Sequence, residues 1–157
     1  MLKISRKVSV NISMGLTVVF LVGIAICAFV MPDVADLFGE LAKMYSFRGA
    51  VSVWEVKAVL CVGYAIIALA ALADVMMFFL LRRIRTGLVF TEKSVSLIRG
   101  VSWIAIICGI LFTAVGYMFY VTYVVAVAML FLGLCVRVVK NVVEEATEIK
   151  SENDLTV

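Results

Sequence analysis

The stretch AVLCVGYAIIALAALADVMMFFLL, residues 58–81, decides the fold, because Asp74 is its only charged side chain. An α-helix needs about 20 predominantly apolar residues to cross the hydrocarbon core of a bilayer. This stretch therefore predicts a transmembrane helix. Three more apolar runs of about this length lie at residues 12–31, 103–119 and 121–139. The sequence predicts four membrane spans.

The spans are expected to be helices. Backbone polar groups inside a bilayer must be paired within the protein, which leaves only α-helices and closed β-barrels. Barrel strands alternate polar and apolar residues over about ten positions, and these runs show no such alternation. We predict an all-α membrane protein, a four-transmembrane-helix bundle that occupies residues 1–157 as one integral membrane domain. The first run exceeds the about 7–15 apolar residues of a signal peptide, so we expect it to be a retained helix.

Basic residues in the flanking segments predict the orientation, since lysine and arginine collect on the cytoplasmic side. Residues 1–11 carry three basic residues and no acid, and residues 82–99 carry five basic residues and one acid. Residues 32–57 carry four acids and three basic residues. Both termini are therefore expected in the cytoplasm. Tyrosines at 117, 120 and 123 mark the expected external turn between the last two spans.

Two amphipathic helices are expected outside the spans. Pro32 should stop the first span, and Asp33 can cap an extracytoplasmic helix that ends near Gly49. Its apolar positions recur at helical spacing: Val34, Leu37, Phe38, Leu41, Met44 and Tyr45. This helix either lies on the membrane or bundle, or serves as a docking surface for a peptide or lipid. A cytoplasmic helix should follow Lys140 and end near Asn153. Between spans two and three, Gly87 should end one helix and Thr91 should cap the next.

The sequence lacks residues that several classes of enzymatic reaction require. It has no histidine, which is the commonest general base and metal ligand. The four cysteines fall one in each span, whereas zinc sites and disulfide frameworks place cysteines in loops at close spacing. They are Cys27, Cys61, Cys108 and Cys135. We predict no catalytic site, no metal, no cofactor and no direct contact with nucleic acid.

Asp74 is the intramembrane polar candidate. A carboxylate at the centre of a span costs about 2.5–3.5 kcal/mol on insertion scales, so it should face the bundle and find a partner there. The expected partners are Arg137, Thr113 or the tyrosines. Asp74 either holds helices together or belongs to a proton or cation path.

Small residues predict close helix packing. Ala105, Gly109 and Thr113 recur four apart, a spacing that permits helices to approach each other within one chain or in a homo-oligomer. We expect the intramolecular use. The second span is small on nearly all sides, which suits a central helix with several neighbours.

Two stretches carry a resemblance to a known family, RTGLVFTEKSVSLIR at 85–99 and VVKNVVEEATEIKSENDLTV at 138–157. They resemble domain of unknown function 2975, a bacterial family of small membrane proteins, which implies a protein of the bacterial cytoplasmic membrane. The family's Gly-x-x-Phe-Thr loop is matched by Gly87, Phe90 and Thr91, and its C-terminal acidic motif by residues 152–157. The resemblance implies a four-span protein, often encoded beside a Cro-type helix-turn-helix regulator.

The resulting hypothesis is a non-enzymatic membrane regulator or sensor that binds a cytoplasmic helix-turn-helix transcription factor. Either the acidic surface attracts a basic regulator, or the tail folds back and only closes the bundle. The candidate partner-binding residues are Arg85, Phe90, Thr91, Glu144, Glu145, Glu148, Glu152, Asn153, Asp154 and Leu155. The alternative is a small transporter or an immunity factor against a membrane-active peptide, which would depend on Asp74 and the external helix.

Overall fold

Four α-helices form the described part of the chain. The computed structural model describes residues 6–45 and 52–155. Within them lie α1 (Arg6–Tyr45), α2 (Val53–Arg85), α3 (Glu92–Gly116) and α4 (Val121–Leu155), with no strand. Each helix contains a segment that is long and apolar enough to cross a membrane. The predicted all-α fold with four spans is confirmed, and these helices indicate a multi-pass membrane protein.

The helices pack in chain order: α1 on α2, α2 on α3, and α3 on α4. Buried side chains are concentrated in α3, where Val95, Ile98, Ile104 and Cys108 are almost inaccessible. The second span was expected to be the central helix, but α3 is the most buried because it is packed tightly against α4. Large apolar side chains such as Phe29 are exposed on the protein surface, as expected for faces that contact lipid tails.

Glycines allow α3 and α4 to approach closely. A Cβ added at Gly109 would lie 2.7 Å from Leu130 Cγ, and one at Gly133 would lie 2.7 Å from Ile106 Cγ1. The buried Ser102 hydroxyl donates to the Gly133 carbonyl at 2.9 Å. Gly109 thus packs within the chain, as predicted. The turn also falls where it was expected, because α3 ends at Gly116 and α4 begins at Val121.

Pro32 does not stop the first helix, contrary to our prediction. It lies inside α1, which continues to Tyr45. Proline has no N–H, so the carbonyl four residues earlier, that of Ala28, loses its helical partner. The Tyr64 hydroxyl of α2 donates to that carbonyl at 3.4 Å. A neighbouring helix can stabilise a proline inside a membrane helix in this way.

Replacing Tyr64 by phenylalanine should lower the free energy of unfolding by about 1 kcal/mol, because the Ala28 carbonyl loses its donor. In a Pro32→Ala background the new N–H of residue 32 can bond to Ala28, so the same replacement should then have almost no effect. Thermal unfolding in detergent of the wild type, the two single variants and the double variant measures this double-mutant cycle. Equal losses in both backgrounds would contradict the proposed pairing.

The segment after Pro32, which was predicted to form a separate external helix, is part of α1. Residues 33–45 continue α1, while residues 46–51, including Gly49, lie outside the described residues. Ala35 and Gly39 are buried, whereas Leu37 and Met44 of the predicted apolar face are exposed. A Cβ at Gly39 would lie 3.0 Å from Val56 Cγ2, so this segment packs on the start of α2 through its small residues.

The C-terminal helix is likewise continuous with the last span. Helix α4 runs without a break from Val121 to Leu155, two residues beyond the predicted end near Asn153. Its polar portion therefore extends directly from the apolar portion, and its position is fixed by how α4 packs on α3.

Candidate functional site

The α2–α3 connection is a well-defined turn. We use the term loop end for the end of the bundle that carries this connection and the C-terminal part of α4. Thr86 is the C-cap of α2, and Gly87 adopts a φ of 80°. The Gly87 N–H donates to the Ile84 carbonyl at 3.2 Å, and the Leu88 N–H to the Arg83 carbonyl at 3.0 Å. This is a Schellman motif, which favours glycine at the left-handed position, so the predicted role of Gly87 is confirmed.

Arg83 fixes the loop to the start of α3. Its Nε donates to Ser94 Oγ at 3.1 Å, and its Nη2 donates to Thr91 Oγ1 at 2.9 Å. Ser94 is fully buried and its hydroxyl donates to the Leu88 carbonyl at 2.9 Å. We call Arg83, Thr91 and Ser94 the loop network. Thr91 occupies the N-cap position as predicted, but its side chain makes no capping bond, because its oxygen accepts from Arg83 instead.

A polar groove lies between the ends of α3 and α4 at the loop end. It has a volume of about 420 Å³. Glu92 and Arg99 line it from α3, and Glu144 and Glu148 line it from α4. Three acids and one guanidinium thus share one surface. We refer to this surface as the polar groove.

Glu144 holds the two walls of the polar groove together. Its carboxylate accepts from Arg99 at 2.7 Å and from Lys140, four residues earlier, at 2.5 Å. Glu144 lies beyond the predicted span 121–139. The hydrogen bond from Lys140, together with the charge of Arg99, keeps the pKa of the Glu144 carboxyl below its usual range. Two cations therefore balance this carboxylate, and it joins the helices more than it offers charge to a partner.

The other predicted partner-binding residues are distributed around the loop end. Glu148 lines the polar groove. The remaining side chains whose exposure is described are all exposed: Arg85, Phe90, Glu145, Glu152 and Asn153. Asp154 and Leu155 belong to α4, but their side chains lie outside the described residues. The structure thus brings Glu144 and Glu148 together and leaves Glu145 outside the groove.

Asp74 does not contact the partners expected for it. It lies in a crevice of about 190 Å³ between α1 and α2, which it shares with the buried Thr17. Arg137 instead lies over the Trp103 ring, 5.1 Å from the ring centroid, and Thr113 donates to the Gly109 carbonyl. Helix α2 packs on α1 and α3 and not on α4, so Asp74 does not reach Arg137 of α4. Within the described residues, the structure gives Asp74 no hydrogen bond.

An apolar cavity of about 410 Å³ lies in the opposite half of the bundle. All four helices line it, including Met31 of α1, Gly63 of α2 and Phe112 of α3. Phe38, about two turns before the end of α1, also lines the cavity and makes an edge-to-face contact with Phe119 at 5.3 Å between ring centroids. The sequence analysis did not identify this cavity, because it depends on how the helices are arranged.

The sequence analysis also missed the roles of Arg83, Ser94 and Arg99. The sequence does hold one local indication of this network. Thr91 and Ser94 stand three apart at a helix start, where hydroxyls commonly form local hydrogen bonds. The partners of Arg83 lie 8 and 11 residues away, and the partner of Arg99 lies 45 residues away. Pairings across such distances are set by tertiary packing and not by local sequence.

Comparison with protein families gives a match over nearly the whole chain. No curated protein and no solved structure matches the chain. The family model described as "Protein of unknown function (DUF2975)" matches residues 7–157. This match covers both stretches that carried the resemblance and all four helices. The chain therefore belongs to the DUF2975 family of proteins of unknown function.

Proposed function

We propose that this protein is a non-enzymatic membrane regulator that binds a basic helix-turn-helix transcription factor at the polar groove. The observation that supports this is the position of three acids at one open surface of the loop end. The loop end is expected in the cytoplasm from the distribution of basic residues. Charge complementarity would attract the basic surface that such a regulator uses for DNA.

The C-terminal part of α4 extends this acidic surface. Residues 141–157 contain five acids and one lysine. The C-terminus of a helix also carries partial negative charge. A basic partner would therefore meet a negative potential along the α4 wall. Because Glu144 is balanced by Lys140 and Arg99, the main contacts are assigned to Glu92 and Glu148.

We assign the sensing role to the apolar cavity, which would bind the signal molecule. Its lining is almost entirely apolar and lies within the membrane-spanning helices, which suits a hydrophobic ligand. Helix α1 contributes one wall, and Phe38 joins that wall to the α3–α4 turn. An occupant would press on α1 and on α3, and α3 continues to the polar groove.

The test is capture of partners from native membranes, with the captured proteins identified by mass spectrometry. The full chain should recover a helix-turn-helix protein, and the Glu92→Lys/Glu148→Lys variant should not. A matched control, Asp33→Lys/Asp36→Lys, reverses two charges at the opposite end of the bundle and should recover as much as the wild type. Recovery without any DNA-binding protein, or equal recovery by both variants, would overturn the proposal.

A transport role has weaker support. The described residues that line the Asp74 crevice include no second ionisable side chain, whereas a proton relay uses chains of such groups. Under the regulator proposal, Asp74→Asn should leave capture of the partner unchanged. Loss of transport or peptide resistance in that variant, with capture intact, would favour the alternative.

A further inference from the structure

A basic cleft lies between the end of α2 and the start of α3 and shares Ser96 with the neighbouring polar groove. Its volume is about 560 Å³. Three cations line it, Arg82 and Arg83 from α2 and Lys93 from α3. Three apolar side chains line it as well, Phe79, Leu88 and Leu97. We refer to this site as the basic cleft.

Within the described residues, the cations of the basic cleft have N–H groups that are not used in hydrogen bonds. No acidic residue is among the described residues that line it. Arg83 uses two of its five N–H groups in the loop network. Within residues 6–45 and 52–155, the structure gives Arg82 and Lys93 no ion pair. Three positive groups therefore converge without a carboxylate to balance them, which favours an anionic ligand.

The position of the basic cleft restricts what that anion can be. Arg82 directly follows the apolar run that ends at Leu81, so the cations lie where hydrocarbon gives way to headgroups. Phe79 lies within that run, about one turn before Arg82, and contributes an apolar wall. A ligand that fills the site must be anionic at one end and apolar at the other.

We propose that the basic cleft binds an anionic phospholipid of the adjacent leaflet. The phosphodiester accepts charge-assisted hydrogen bonds from Arg82, Arg83 and Lys93, and the first acyl carbons lie against Phe79 and Leu97. Basic pockets between transmembrane helices commonly hold such headgroups, and arginine is well suited to phosphate. The loop network fixes Arg83 in position before the lipid arrives.

Native mass spectrometry of the full-length protein released from detergent micelles measures this binding. Wild-type protein is titrated with phosphatidylglycerol, with phosphatidylcholine, and with phosphatidylglycerol in the presence of excess inorganic phosphate. We expect preferential binding of phosphatidylglycerol that millimolar phosphate does not displace. Equal binding of the two lipids would overturn the proposal, and displacement by phosphate would reassign the site to a free anion.

Two double variants with the same net charge locate the site. Arg82→Gln/Lys93→Gln removes two cations of the basic cleft and leaves the loop network intact. Its apparent Kd for phosphatidylglycerol should rise at least about tenfold, because hydrogen bonds to charged groups are lost.

The control variant, Arg85→Gln/Lys150→Gln, removes an arginine and a lysine that do not line the cleft, and its Kd should rise by about threefold or less. Equal losses in both variants would indicate general surface attraction and would contradict the proposal. Circular dichroism of both variants checks that each remains folded, and the wild-type lipid comparison tests the proposal even if a variant does not fold.

Discussion

Replacing Gly133 by leucine is expected to separate α3 from α4 and to lower the free energy of unfolding by about 3 kcal/mol. A Cβ at this position would lie 2.7 Å from Ile106 Cγ1 and 3.2 Å from the Ile106 backbone nitrogen. The backbone of α3 cannot move aside as a flexible side chain can, so the helices must shift apart. Overpacking of this kind costs about 1–3 kcal/mol, and loss of the buried Ser102 hydrogen bond adds about 1 kcal/mol.

Thermal unfolding in detergent, followed by circular dichroism, measures the effect of this replacement. The control is Gly23→Leu on α1, where an added Cβ would meet nothing within 4 Å. This variant should be as stable as the wild type or more stable, because leucine has a higher helix propensity than glycine. Similar behaviour of the two variants would show that α3 and α4 are not packed as closely as the structure indicates.

Replacing Arg83 by methionine should lower the free energy of unfolding by about 2 kcal/mol. Methionine keeps most of the length of the side chain but removes the donors to Ser94 and Thr91. Hydrogen bonds from a charged group contribute about 1.5–3 kcal/mol. Ser94 keeps its bond to the Leu88 carbonyl, so the loss is limited to the contribution of Arg83. The midpoint of thermal unfolding should fall by about 4–8 °C.

The matched control for Arg83 is its neighbour Arg82. Both arginines follow the same apolar run, and both line the basic cleft, but only Arg83 takes part in the loop network. Arg82→Met should change the midpoint by no more than about 2 °C, since exposed charges contribute little to stability. Equal shifts for the two variants would mean that the loop network does not hold α2 and α3 together.

The loop end illustrates how far local sequence predicts structure. Gly87 was assigned correctly, because a Schellman motif depends on one backbone conformation that glycine adopts without strain. Thr91 was placed correctly at the start of α3. Its side chain does not make the predicted capping bond, because Arg83 approaches from the preceding helix. Likewise Glu144 pairs with Arg99, 45 residues away, a contact that local sequence does not predict.

Pro32 and Asp74 show the same limit within α1 and α2. The rule that proline ends a helix assumes that the carbonyl it leaves unpaired finds no other donor, and here Tyr64 of α2 supplies one. The expected pairing of Asp74 with Arg137 assumed a bundle in which α2 meets α4. In the structure the neighbours of α2 are α1 and α3, so Asp74 faces a crevice beside Thr17.

The sequence by itself determined that this protein has four membrane-spanning helices, where the α3–α4 turn falls, and which residues form the α2–α3 turn. Each of these properties depends on apolar length or on the conformational preference of a single residue, and both can be read locally. Only the tertiary structure decided that α3 is the most buried helix, that Arg83 fixes the loop, and that the polar groove, the basic cleft and the apolar cavity exist. These features are formed by side chains of different helices. Their positions follow from packing that depends on shape across the bundle, which no local pattern encodes.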